Sequence, residues 1–265
     1  MSIDPNLTLY AALAFYAVGT VTALLSLFVS SKRLQKLGLG LMIGGFASHT
    51  YWIGTICAAT GHPPLTNMAE VASFVGWTLL AVEIVLWLRY RVYAASFFVY
   101  PAVLLLLTIS AIAGENFAPL DPSLRSNLFT GHLLLTTVGV AGLFIGVAFT
   151  LLAFLQDRAL KRKTRGPLWE WIPNLNVCKF VSYRALTVGF SIYTLGLIAG
   201  VIWSYKTTAG LIDLQVKQIG AVTAWVLFGA LLQSYISGSY RQKRVVVLSV
   251  CAFAATVIAI LGIRG

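Results

Sequence analysis

The sequence predicts an all-α, polytopic membrane protein with eight transmembrane helices and both termini on the outer, non-cytoplasmic side. Three observations predict it. Only 10% of the 265 residues are charged and 58% are hydrophobic, with a mean hydropathy of +0.85, whereas soluble domains carry about 25% charge. Apolar runs long enough to cross a bilayer recur along the whole chain. The polar breaks between them alternate between strongly basic and nearly uncharged. No alternating barrel pattern appears, and unpaired backbone cannot lie in lipid, so helix is the state that remains.

The first span, near 8–30, lacks a basic leader and a cleavage signal and reads as a retained membrane helix. Lys32, Arg33 and Lys36 separate it from the second, 36–58, which carries Gly40, Gly44, Gly45, His49 and Trp52. An outer loop, Gly61-His62-Pro63-Pro64, leads to the third span, 69–88, with Glu83 inside it. Arg89 and Arg91 precede the fourth, 92–113, which contains Pro101. The fifth, 127–156, opens with His132 about one turn in. A basic loop over 157–182 follows, then spans at 183–205, 218–237 and 244–262.

All of the 19 basic residues except Arg125, Lys206, Lys217 and Arg264 fall on one face of this arrangement. That face is expected to be cytoplasmic, which points to a multi-pass protein of the bacterial inner membrane, with lipid as its surroundings. The net charge of +11 is thus a loop property, and without a basic, aromatic surface patch no nucleic-acid partner is expected. Residues 1–265 read as a single integral membrane domain, with no internal repeat. The 157–182 loop holds Trp169, Trp171 and Pro173, which suit either an interfacial aromatic belt or a docking surface for a soluble partner.

Candidate chemistry rests on three histidines, His49, His62 and His132, all toward the outer side. Imidazoles in membrane helices either pack through hydrogen bonds or ligate, and both readings stand for each. Gly45 and Trp52 share the face of His49 at i−4 and i+3. A missing side chain there leaves room for a flat ligand, or else for close helix packing. Thr136 and Gly139 flank His132 in the same way. Two imidazoles can hold haem iron from both sides. Zinc fits less well, because carboxylates are few and Cys57, Cys178 and Cys251 lie far apart. With no C-x-x-C-H, no c-type haem attaches to this chain. Glu83 pairs with a cation such as Arg89, stays neutral or relays protons. No nucleophile elbow, phosphate loop or dinucleotide fingerprint is present, so no catalytic residue and no enzyme activity are expected.

An ordered set of short stretches then resembles one family. Gly61-His62-Pro63-Pro64-Leu65-Thr66-Asn67-Met68-Ala69-Glu70 is similar to the G-H-x-P-x-x-N-x-x-E stretch of the cytochrome c assembly family, the CcsA, CcmC and HemX-like haem-handling proteins. So are Gly131-His132-Leu133, Leu160-Lys161-Arg162-Lys163, Ile172-Pro173-Asn174-Leu175, Tyr183-Arg184-Ala185 through Gly189-Phe190, and Gly200-Val201-Ile202-Trp203. The resemblance implies a membrane protein that binds haem through histidines and hands it toward the outer face. His49 and His132 match the family's ligand positions. The family's tryptophan-rich "WWD" segment has no counterpart in Ala209–Lys217, and Gln233 stands where a histidine is usual. The chain therefore resembles the HemX-like branch, which implies contact with a cytoplasmic haem-synthesis enzyme, for example glutamyl-tRNA reductase, or with cytochrome c assembly components.

Together these readings describe a non-enzymatic haem-binding protein for transport or sensing of haem, serving cytochrome c biogenesis or haem synthesis. Haem b is expected between His49 and His132 as metal ligands, with His62, Gly45 and Trp52 beside it. The alternatives are a cofactor-free small-solute transporter, marked by broken helices, and a membrane regulator acting through protein contacts.

Overall fold

A computed structural model describes residues 5–65, 67–90, 92–113, 126–163, 169, 171–207, 216–237 and 242–261. Every regular element among the described residues is helical: α1 (Pro5–Val29), α2 (Lys32–Thr60), α3 (Met68–Tyr90), α4 (Ser96–Ala113), α5 (Asn127–Arg162), α6 (Leu175–Thr207), α7 (Val216–Ile236) and α8 (Gln242–Leu261). Of these, 7 are long and apolar enough to cross a membrane. The exception is α2, because three cations open it and Gly, Ser, Thr and His residues interrupt its apolar run.

Local chemistry sets the helix ends. The Ser31 hydroxyl accepts from the Leu34 amide at 3.4 Å and the Ser126 hydroxyl from the Phe129 amide at 3.1 Å, capping α2 and α5. Asn67 and Asn174 open α3 and α6 likewise, accepting from the Glu70 and Val177 amides at 2.9 Å each. Gly61 closes α2 at φ 73°, its N–H donating to the Cys57 carbonyl, a conformation that glycine adopts without strain.

The expected 157–182 loop is much shorter in the structure, since α5 continues to Arg162 and α6 begins at Leu175. Hydropathy marks where a helix leaves the apolar phase, not where it stops. Past that point α5 is carried on by the Asp157–Lys161 pair, one turn apart at 2.6 Å, and α6 gains its extra turns from the Asn174 cap. Within the remaining connection Ile172 is buried, and Trp169 and Trp171 are half-buried.

The chain divides into two compact units, Met1–Leu120 with Arg165–Pro173, and Asp121–Thr164 with Asn174–Gly265. In the first, each helix from α1 to α4 packs on the next and α4 returns to α1. The second has the same plan, α5 to α8, closed by α8 on α5. Both are four-helix rings of antiparallel neighbours with short connections.

The tightest seam of each unit is built on glycine. In the first, Gly38 faces Gly19 and Ala23, Gly45 faces Tyr16, and the Ser48 hydroxyl donates to the Thr8 carbonyl at 2.9 Å. In the second, α5 and α6 meet in one antiparallel register: His132 on Gly200, Thr136 on Gly196, Gly139 on Tyr193, Gly142 on Gly189, Gly146 on Leu186. A Cβ on Gly139 would lie 2.6 Å from the Tyr193 backbone nitrogen. Lipid is as apolar as leucine, so such close approach, through dispersion, is what holds membrane helices together. Pro101 sits inside α4, which remains one continuous helix.

The antiparallel plan collects most described cations at one end of each unit. In the first these are Lys32, Arg33, Lys36 and Arg89; in the second Arg158, Lys161, Arg162, Lys163, Lys179, Arg184, Lys243 and Arg244, with Lys206 at the other end. His62 lies at the opposite, non-basic end of its unit, and His132 near the non-basic end of its own.

Candidate functional site

His49 projects from the middle of α2 and is fully buried. Its Nε2 bonds the Ser73 hydroxyl of α3 at 2.7 Å and its Nδ1 the Tyr16 hydroxyl of α1 at 3.2 Å. Both ring nitrogens are therefore engaged within the first unit, one donating and one accepting. The Tyr16 ring meets the imidazole edge-on, and Trp52, also buried, lies 5.8 Å from it between centroids. The space beside Gly45 is filled: a Cβ there would come within 2.6 Å of the Tyr16 ring. Of the residues expected around this histidine, the structure brings Trp52 to it directly and Gly45 through Tyr16.

His62 follows the Gly61 turn. Its Nδ1 donates to the Pro63 carbonyl at 2.9 Å, while its Nε2 is buried without a partner. A carbonyl oxygen only accepts, so Nδ1 carries the hydrogen, and in the neutral ring Nε2 offers its lone pair.

His132, half-buried, repeats this arrangement in the second unit. Its Nδ1 donates to the Gly196 carbonyl of α6 at 2.7 Å, leaving Nε2 as the lone-pair nitrogen. The ring packs against α6 where Gly200 has no side chain, since a Cβ there would sit 2.6 Å from Cε1 and Nδ1. One turn further out, Phe129 and Trp203 meet at 4.8 Å between centroids. Thr136 and Gly139, expected on the same face, pack against Gly196 and Tyr193 of α6.

A histidine that binds a metal through one nitrogen commonly donates the other N–H to a carbonyl or carboxylate, which fixes ring and tautomer. His132 and His62 each satisfy that condition within their own units. Among the described residues no group of three or more His, Cys, Asp or Glu could hold a bare metal ion. What His132 and His62 each offer is a single ring nitrogen, which would suffice for an iron already held in a porphyrin.

Sequence reasoning missed Tyr16, Ser73, Gly196 and Gly200. Ser73, a polar residue within an apolar span, was a visible signal. So was the spacing Gly189, Gly196, Gly200, which puts three glycines on one helix face.

The fold defines an all-helical, multi-pass membrane protein in which His62 and His132 each keep one ring nitrogen unpaired among the described residues. The chain belongs to the cytochrome c assembly protein family, whose model matches residues 65–265 and so includes His132. It is similar to the cytochrome c biogenesis protein CcsA of Guillardia theta, 26% identical over 97% of this chain and 90% of the relative. The CcsA proteins of Gloeobacter violaceus, 24% identical over 95% and 91%, and of Prochlorococcus marinus strain NATL2A, 25% over 77% and 74%, are also similar. These relatives do not support the HemX-like placement. That inference rested on what Ala209–Lys217 lacks, a stretch lying mostly outside the described residues.

Proposed function

We propose that this protein is a CcsA-like haem carrier of cytochrome c assembly, holding haem b near its outer face and delivering it without itself catalysing a reaction. His132 carries the reading, with its tautomer set by the Gly196 carbonyl at 2.7 Å and its Nε2 unclaimed among the described residues. Haem, when bound, would supply an iron able to take an imidazole nitrogen. His132 offers that nitrogen, α6 holds the ring in place, and Phe129 with Trp203 gives the site an apolar aromatic border. His62 offers a second such nitrogen at the outer end of the first unit. His49 can ligate only by giving up its bond to Ser73 or to Tyr16.

In this reading all eight helices span the bacterial inner membrane, α2 included, because its polar residues Ser48 and His49 bond to α1 and α3. The basic ends face the cytoplasm, and cytochrome c assembly components are the partners. A solute transporter built on broken helices has less to recommend it, given that α4 runs unbroken through Pro101.

An absorption spectrum tests the carrier reading. Purified protein reconstituted with haem is expected to show a Soret band, and His132→Ala to lose most of it. The His49→Ala spectrum decides the second ligand: loss of low-spin features assigns His49 to iron, and their survival leaves it to packing. Wild-type protein that stays colourless with added haem would overturn the proposal.

A further inference from the structure

Glu83 lies inside α3, two turns before Tyr90, and is only 1% exposed. Its Oε1 accepts from the Ser96 hydroxyl of α4 at 2.6 Å, and Tyr100 follows one turn along α4. Its Oε2 is buried with no partner among the described residues. Arg89, the cation nearest in sequence, lies over the Tyr90 ring instead. Among the described residues, Tyr93 and Tyr100 are the other titratable side chains near this carboxyl.

An ionised carboxylate with one neutral donor and no cation is among the costliest groups a membrane interior can hold. A neutral carboxyl leaves one O–H without an acceptor, which costs far less than a bare charge. We propose that Glu83 carries a proton in the folded protein, forming with Ser96 an exchangeable proton-binding site inside the first unit. In this arrangement Oε1 is the carbonyl oxygen that accepts from Ser96, and Oε2–H is the free end of the pair. An intramembrane acid is seldom kept without a use, and the unit thereby gains one group able to release or take up a proton. The site does not depend on haem binding.

Infrared spectroscopy of the full-length protein in lipid at neutral pH tests it. A carboxylic-acid carbonyl band is expected, absent from Glu83→Gln and moved to lower frequency in heavy water. Should Glu83→Gln fail to fold, Ser96→Ala serves: removing the donor to Oε1 is expected to move the same band to higher frequency. A band untouched by either variant, or no acid band at all, overturns the proposal. A Glu83 band that does not move in heavy water overturns the exchangeable site.

Discussion

The three histidines share a residue type and an apolar setting, yet their hydrogen bonds separate them. His132 and His62 each spend one nitrogen on a carbonyl and keep the other, while His49 spends both. Removing a partner from His49 therefore leaves a polar atom stranded in the core. Ser73→Ala is expected to cost about 1 kcal/mol or somewhat more. Tyr16→Phe, which loses the longer bond, is expected to cost less; thermal unfolding in detergent gives the order. All three imidazoles could be located from the sequence as candidates. Which of them has a free nitrogen could not, because for His132 the answer depends on a carbonyl 64 residues away, and no local pattern encodes that pairing.

At the scale of helices, the α5–α6 pair owes its closeness to backbone meeting backbone. A Cβ on Gly189 would lie 2.7 Å from the Leu143 nitrogen and 2.9 Å from the Gly142 carbonyl carbon, neither of which can swing aside. Gly189→Val is therefore expected to destabilise by about 2 kcal/mol or more. Gly54, with nothing within 4 Å, is the control: Gly54→Ala should be neutral or stabilise by up to about 1 kcal/mol. Denaturant titration of the two variants side by side checks both. Apolar runs alone placed most of these helices within a few residues. They failed at the C-terminal end of α5 and the N-terminal end of α6, where the helix goes on after the hydrophobic stretch stops and capping and ion pairing take over.

For the molecule as a whole, charge is the main orienting influence. Each unit gathers its described loop cations at one end, the arrangement that lets positive loops stay in the cytoplasm. Reporter fusions made after Val29, Thr60, Lys163 and Thr207 should read cytoplasmic, outer, cytoplasmic, outer. Identical signals after Val29 and Thr60 would remove α2 from the spans, and a reversed series would invert the orientation.

The α5–α6 register also restricts how this family can change over evolutionary time. Losing one residue midway along either helix turns everything beyond it by about 100°, swinging glycines off the seam and side chains into the opposing backbone. Indels between homologues must then fall in the connections, such as the stretch between Lys163 and Leu175, and an alignment that opens a gap between Gly139 and Gly146 has mismatched its residues.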